Sequence, residues 1–350
     1  MSERMKVGVL GATGMVGQEF VNFLRNHPWF DLTWLGASDR SAGKKYAEAT
    51  TWRLSGTMPP GARDIVVSEC KPQEGAPRLL FSATDASVAT EIERAFAGAG
   101  HTVVSNSRNH RMDEDVPLLV PEINADHLAL LPGQKKKRAW PGQIVTNPNC
   151  STIVLTMALA ALKPFGIRRV IVTTMQALSG AGYPGVASMD INANVVPFIG
   201  GEEEKMERET QKILGDFSEG RVVALPACVS AQCNRVPVVN GHTIAVSVEL
   251  ERKPSEPEIL GSMRGWRGIP QQKNLPSAPP CPVIYMEEQD RPQPRRDVER
   301  ENGMAVFVGR LRKCPVLDYK FIAMGHNTVR GAAGVAVLNA ELMKAEGYLD

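Results

Sequence analysis

KVGVLGATGMVGQEFVNFLRNH, residues 6–27, decides the first half of the fold. KVGVL is a short apolar run that reads as a strand, GATGMVG interrupts it, and QEFVNFLRNH continues with helical spacing. Gly11, Gly14 and Gly17 keep the G-x-x-G-x-x-G spacing. A tight turn and a close approach of backbone to a pyrophosphate both exclude side chains, and the helix that follows points its N-terminus at the phosphates. A bare glycine triplet is a weak signal, but a strand before it and a helix after it make it a dinucleotide-binding turn.

Outward from that turn, strands and helices alternate. LTWLGAS ends at Ser38-Asp39-Arg40-Ser41; RLLFSAT, a helical stretch from Ala86 to Gly98, HTVVSNS and VPLLVPEIN follow. This alternation predicts an α/β domain built on a Rossmann-like, doubly wound parallel sheet over residues 1–150. Ligands in such sheets collect at the carboxyl ends of the strands, where Ser82, Thr84, Ser105 and Asn106 fall. Asp39 suits the ribose hydroxyls of NAD, whereas Arg40 and its neighbouring hydroxyls suit the 2′-phosphate of NADP, and charge alone leaves the choice open. Asp113 to Asp115 read as a solvated turn, and Lys135 to Arg138 as a solvated surface loop.

The domain ends in IVTNPNCSTIVLTMALAAL, residues 144–162. A β-branched run stops at Pro148 and an apolar helix begins after Cys150, which puts the thiol where a strand turns into a helix. A helix N-terminus favours thiolate over thiol, and its N–H groups can hold an oxyanion beside the sulfur. Cysteine is more often a small buried hydrophobe than a nucleophile, so the placement carries the inference.

The second half, residues 151–327, reads as an α+β domain with a mostly antiparallel sheet, and residues 328–350 read as a final helix. IRRVIVTTMQAL reads as a strand with polar Gln176 near its end, followed by the glycine-rich SGAGYPG. GEEEKMERETQKIL is an amphipathic helix with Glu202 and Lys205 on one face; unaided, it reads as exposed and charged. If NGH in SAQCNRVPVVNGHTIAVSVEL is a hairpin turn, Arg235 and His242 lie near each other on adjacent strands. The proline-rich residues 254–298 read as extended surface connections, and MAVFVGRLR and DYKFIAMG as antiparallel strands. In the last helix the small residues Gly331 to Gly334 permit close approach to another backbone or a ligand.

Composition narrows the class. A chain of 350 residues with 43% hydrophobic and 22% charged residues is long enough for two domains, and a net charge of +2 implies no nucleic-acid partner. Neither a signal-peptide pattern nor an apolar run of membrane-spanning length is apparent, so no membrane is expected and the location is read as cytoplasmic. Six scattered cysteines without paired metal-ligand spacing imply a reduced compartment and no metal.

With these residues assembled, the sequence resembles the aspartate-β-semialdehyde dehydrogenases, particularly their archaeal and fungal branch. The resemblance runs through GATGMVG, ASDRSAGKKY, SNSRNHRMDEDVPLLVPEIN, NPNCST, QALSGAGYPG, GEEEK, SAQCNRVPVVNGHT, DRPQPR and HNTVRGAAG, in the family's order. It implies NADPH-dependent reductive dephosphorylation of aspartyl 4-phosphate to aspartate 4-semialdehyde, toward lysine, threonine and methionine, by a homodimer or homotetramer. It makes residues 1–150 the NADP-binding domain, completed by the helix 328–350, and residues 151–327 the catalytic and dimerisation domain, and it implies roles: Cys150 as nucleophile, His242 as acid/base, and Gln176 as the group orienting the intermediate. Arg235 would hold the α-carboxylate and Glu202 the α-amino group, while Lys205 and Arg111, with Asn106 nearby, would meet the phosphate. The implied cofactor residues are Gly11, Thr13, Gly14, Met15, Val16, Gly17, Ser82, Ser179, Gly180 and Asn327, with Ser38, Arg40 and Ser41 on the 2′-phosphate segment, which favours NADP. Two departures stand out: GEEE replaces the GEED common in fungal forms, and the second half of SNSRNHRM differs from them. Archaeal malonyl-CoA reductases share SGAGYPG and HNTVRGAAG but lack the NPNC and GEEEK forms. Acetylglutamyl-phosphate or glyceraldehyde-phosphate reduction would use the same thioester logic, and a dinucleotide-binding sensor without catalysis is the alternative from another class.

Overall fold

The computed structural model describes residues 3–349. Six strands, β1 (Met5–Leu10), β2 (Phe30–Ala37), β3 (Ser68–Glu69), β4 (Leu79–Ser82), β5 (Thr102–Ser105) and β6 (Gln143–Thr146), form one sheet in the order β3-β2-β1-β4-β5-β6. All five pairings are parallel. β4, β5 and β6 are buried at every residue, as strands covered on both faces must be. The strand order reverses beside β1, where β2 lies on one side and β4 on the other, and that switch point opens the crevice a ligand uses. The helices Met15–Phe23 and Gly334–Ala345 pack into the same apolar cluster, through Phe20, Val21, Ala336 and Val337.

The second sheet contains β7 (Ile167–Gln176), β10 (Cys228–Arg235), β11 (His242–Leu250), β12 (Val283–Met286), β13 (Val306–Lys313) and β14 (Tyr319–Gly325), in the order β10-β7-β11-β14-β13-β12. A small ribbon of β8 (Asp216–Ser218) and β9 (Arg221–Val223) lies apart from it. The central pairings β7–β11, β11–β14 and β13–β14 are antiparallel, and the two edge pairings, β7–β10 and β12–β13, are parallel. β11 alternates buried and half-buried along its whole length, so one sheet face packs inward and the other does not.

The helix Cys150–Ala160 is buried at every residue after the first, which fits an apolar pattern with no polar face. It leaves β6 of the first sheet and packs into the core of the second, so its first residue stands at the junction of the two.

Several sequence expectations are corrected. VPLLVPEIN does not form a strand: Pro117 and Pro121 lack ladder donors, one isolated bridge joins Leu118 to Thr146, and the Asn124 side chain bonds Val120 N–H and Leu118 C=O instead. Lys135 to Arg138 close a helix, Leu131–Arg138, and Arg138 bonds Asp113 and Asp115, so neither segment is a free solvated loop. The proline-rich 254–298 stretch carries a ten-residue helix, Glu256–Gly265, started by a capping box between Ser255 and Glu258, as well as β12. NGH does not close a hairpin, because β7 lies between β10 and β11.

Candidate functional site

Cys150 opens its helix behind Asn149, whose Oδ1 accepts hydrogen bonds from Ser151 N–H at 2.9 Å and Thr152 N–H at 3.3 Å. That cap organises the turn but commits the N–H groups that the sequence offered as an oxyanion hole. From below, Gly331 leaves no room: a Cβ there would stand 2.7 Å from Cys150 Cβ. The small residues after His326 thus approach Cys150 itself, and they do so through a π turn, Val329–Ala333, ahead of the Gly334–Ala345 helix.

His242 Nε2 lies 3.1 Å from Cys150 Sγ. Its Nδ1 accepts the Ala177 N–H at 3.0 Å, which leaves the proton of a neutral ring on Nε2, facing the sulfur. Burial, then the charges of Arg235 and His326, push His242 down to about 3. Burial, then the negative charge of Glu202, push the Cys150 thiol up to about 12, against the pull of Arg111 and Arg235. The thiolate preference read from the helix terminus is therefore reversed: the resting pair is thiol and neutral imidazole, because desolvation exceeds the helix-end effect.

A pH test follows. Iodoacetamide alkylation of Cys150 in the free enzyme should rise with pH without levelling off between pH 6 and 9, since the thiolate fraction keeps growing toward about 12. A plateau near pH 7 would show a resting ion pair instead. The folded thiol holds its proton above the free-thiol value of about 8.5, so its contribution to stability is complete below that pH and is lost as pH climbs toward the folded value.

The remaining groups converge on this pair. Arg235 is 6% exposed and donates from Nη1 to Ala177 C=O at 2.6 Å. A Cβ on Gly180 would stand 3.0 Å from both Arg235 Nη1 and His242 Cε1, so the 3₁₀ turn Leu178–Ala181 brings together what no hairpin does. Gln176 is 1% exposed, with Nε2 at 3.4 Å from both Thr174 Oγ1 and Glu202 Oε2, contacts long enough to exchange for a ligand.

Glu202 accepts from Lys205 Nζ at 2.7 Å and from Asn149 Nδ2 at 2.8 Å. Burial raises its carboxyl, but Lys205, Asn149 and Gln176 outweigh it and hold it below the ordinary range. Arg111 donates from Nη2 to Asn106 C=O at 2.7 Å, and Asn106 Oδ1 accepts from Asn147 Nδ2 at 2.5 Å. A cavity of about 200 Å³ is lined by Arg108, Arg111, Lys205 and Arg208, with Glu204 and Glu209 also on its wall. The charged helix is thus not simply exposed: Glu202, Glu209 and Lys212 are buried along one face. Sequence reasoning missed Asn149, Glu209 and Lys212, although Glu209 and Lys212 repeat Glu202 and Lys205 seven residues on.

On the dinucleotide side, Gly11 takes a left-handed φ of +73°, and a Cβ on Gly17 would stand 2.2 Å from Gly11 O. Gly14 caps the Met15–Phe23 helix without a side-chain bond, and a cavity of about 300 Å³ lies against Thr13, Gly14, Met15, Arg53 and Tyr183. An uncapped helix N-terminus beside open space fits a pyrophosphate, and Met15, Val16 and Gly17 carry its unpaired donors. Asp39 turns its carboxylate onto Arg40 N–H at 2.9 Å, while Ser38 and Arg40 are exposed and Ser41 is half-buried. Ser82 is fully buried with Oγ 2.9 Å from Thr84 Oγ1, so its hydroxyl does not face the crevice. Asn327 bridges the halves of the site, donating to Ser179 Oγ at 2.7 Å and accepting Gly241 N–H at 2.9 Å. Among the described residues no group of acidic, histidine or cysteine side chains could hold a metal ion, and no helix is long and apolar enough to cross a membrane.

Comparison with known proteins places the chain in a family. Residues 6–131 match the family model described as semialdehyde dehydrogenase, NAD binding domain, and residues 159–330 that described as semialdehyde dehydrogenase, dimerisation domain. Aspartate-semialdehyde dehydrogenases of Archaeoglobus fulgidus and Cryptococcus neoformans are 50% and 47% identical, over 98% and 99% of this chain and 99% and 98% of their own. The crystal structure of the Candida albicans enzyme with NADP superposes with a TM-score of 0.92 at 43% identity, covering 99% of each chain. With thiol, imidazole, buried arginines and a buried carboxylate gathered on this fold, and relatives of this identity along its whole length, the chain belongs to the aspartate-semialdehyde dehydrogenase family.

Proposed function

We propose that the protein catalyses the reversible, NADPH-dependent reductive dephosphorylation of L-aspartyl 4-phosphate to L-aspartate 4-semialdehyde. The observation that carries this reading is Cys150 Sγ at 3.1 Å from His242 Nε2, within reach of the charges of two buried arginines, Arg111 and Arg235, and one buried carboxylate, Glu202. That charge pattern suits a substrate with two anionic ends and an ammonium between them. Arg235 takes the α-carboxylate, Glu202 the α-ammonium, and Arg111 with Lys205 the phosphoryl group, Asn106 fixing Arg111 from behind.

The Cys150 sulfur bonds to the acyl carbon as the carbon–oxygen bond to phosphate breaks, leaving a thioester, and the thiol proton departs with the phosphate. When bound, NADPH would supply the hydride that reduces the thioester carbon. The resulting thiohemiacetal collapses to aldehyde and frees the sulfur. His242 gives the acid half of its acid/base role from Nε2–H, hydrogen-bonding the sulfur anion and then the oxygen of the tetrahedral species. Gln176 supplies a second donor to that oxygen, replacing the helix N–H groups that Asn149 occupies. The glycine turn, Ser179, Gly180 and Asn327 hold the cofactor, and Ser38, Arg40 and Ser41 receive its 2′-phosphate. The Candida albicans relative was solved with NADP and the Vibrio cholerae enzyme II, at 27% identity, with ASA, which supports both ligand assignments.

The division at residue 150, with 328–350 returning to the first domain, is part of the same reading. So is a homodimer or homotetramer built on the second domain, in which Ile171 is 48% exposed on the uncovered sheet face. Phosphate-dependent reduction of NADP by aspartate semialdehyde tests the whole, with NAD in parallel. Turnover with NADP at least about tenfold above NAD is expected, the 2′-phosphate adding charge-assisted bonds at Arg40. Activity with malonyl-CoA and none with aspartyl phosphate would overturn it.

A further inference from the structure

The helix Glu202–Ile213 carries more of the site than its first turn. Glu202, Lys205, Glu209 and Lys212 recur at three- and four-residue steps and so lie along one stripe, beside fully buried Met206 and Ile213. Glu209 is 2% exposed, a depth at which a carboxylate is costly unless its oxygens are satisfied. They are satisfied by two different parts of the site. Oε1 accepts from Arg111 Nη1 at 3.0 Å, and Oε2 accepts from the backbone N–H of Asn149 at 2.6 Å. The first partner is the anion-binding arginine, and the second is the residue directly before the nucleophile.

We propose that Glu209 is a positioning residue that fixes the distance and angle between the Arg111 guanidinium and the Asn149–Cys150 turn, through one carboxylate shared between them. Both its oxygens are already engaged by the protein. Arg111 is held at both terminal nitrogens, by Glu209 and by Asn106 C=O, while its buried Nε–H has no hydrogen-bond partner. Asn149 is held at its N–H by Glu209 and at its side-chain amide by Glu202. An anion seated on Arg111 is thereby aligned with the sulfur that must attack the carbon it leaves. This assignment rests on the phosphate site proposed above. It goes further in making phosphate affinity and nucleophile presentation depend on one side chain on the wall of that site.

Two variants separate its arms. Glu209→Gln keeps an oxygen for Asn149 N–H and turns an amide NH₂ toward Arg111; Glu209→Ala removes both contacts. In the full-length enzyme, Glu209→Gln should raise the phosphate KM about tenfold or more, with kcat and the iodoacetamide rate at Cys150 within about threefold of wild type. Glu209→Ala should raise the phosphate KM similarly and also shift the alkylation rate by about tenfold. A wild-type phosphate KM in Glu209→Gln would overturn the proposal. So would equal losses of kcat and thermal midpoint in both variants without a change in KM, because that is the signature of structural support alone. Should Glu209→Ala fail to fold, Glu209→Gln decides by itself. Absence of phosphate-dependent turnover in the wild type would instead remove the functional reading, and the alkylation comparison would still report on the Asn149 arm.

Discussion

Cys150→Ala is expected to abolish phosphate-dependent turnover, by roughly 10⁴-fold or more, while NADPH binds with unchanged affinity. The size follows from what is lost. Without the sulfur there is no covalent acyl-enzyme, and hydride would have to reach the acyl phosphate directly, with nothing to fix its carbonyl against the donor. His242 offers no substitute nucleophile, because its Nδ1 is occupied by Ala177 N–H and its Nε2 carries the proton. The fold should tolerate the change: alanine removes one atom at the first residue of the helix, and the Asn149 cap does not involve the thiol. NADPH fluorescence titration and the phosphate-dependent assay, run on the same preparation, check both halves. Phosphate-dependent reduction at more than about a hundredth of the wild-type rate would remove the thioester mechanism.

The parts of the fold legible in the sequence are those where local chemistry and tertiary packing agree. β1, the glycine turn and the Met15–Phe23 helix are set by contiguous residues, since Gly11 needs a left-handed φ and Gly17 has no space for a Cβ. VPLLVPEIN misleads for the opposite reason. Its composition is that of a strand, but Pro117 and Pro121 cannot join a ladder, and Asn124 supplies the local bonds a neighbouring strand would have given. The 254–298 stretch conceals its helix behind prolines, although Ser255 and Glu258 announce a capping box three residues apart.

For the candidate site, the residues that the structure brings together were readable one by one, and their mutual geometry was not. Arg235 and His242 meet because β7 inserts between their strands and delivers the Leu178–Ala181 turn, a topological fact that no local spacing encodes. The resting charge state was also hidden. A helix N-terminus alone argues for thiolate, but the depth of the sulfur and the nearness of Glu202 reverse the balance. Glu209 went unread because a third carboxylate on a charged helix resembles solvated surface until its partners, Arg111 and Asn149, fold onto it.

Arg330→Met is expected to destabilise the protein by about 3–5 kcal/mol, the largest stability effect of a single substitution considered. Arg330 and Glu122 are both wholly buried side chains, joined by two parallel bonds, Nη1 to Oε1 at 2.7 Å and Nη2 to Oε2 at 2.6 Å. Removing the guanidinium leaves an uncompensated carboxylate in the interior, since Gly268 packs against Glu122 so closely that a Cβ there would stand 2.4 Å from Glu122 Cα, and the backbone has no easy route to water. The double variant Arg330→Met/Glu122→Gln should recover more than half of the loss, because the amide carries no charge to strand. Urea unfolding of the single and double variants measures both. The loss should also reach catalysis: Arg330 anchors the π turn whose next residue, Gly331, abuts Cys150, so a loosened turn lets the nucleophile drift. kcat in the folded single variant should therefore fall by about tenfold or more, with the KM for NADPH nearly unchanged. A single variant less than about 1 kcal/mol below wild type, or a double variant worse than the single, would show that the ion pair does not hold this turn in place.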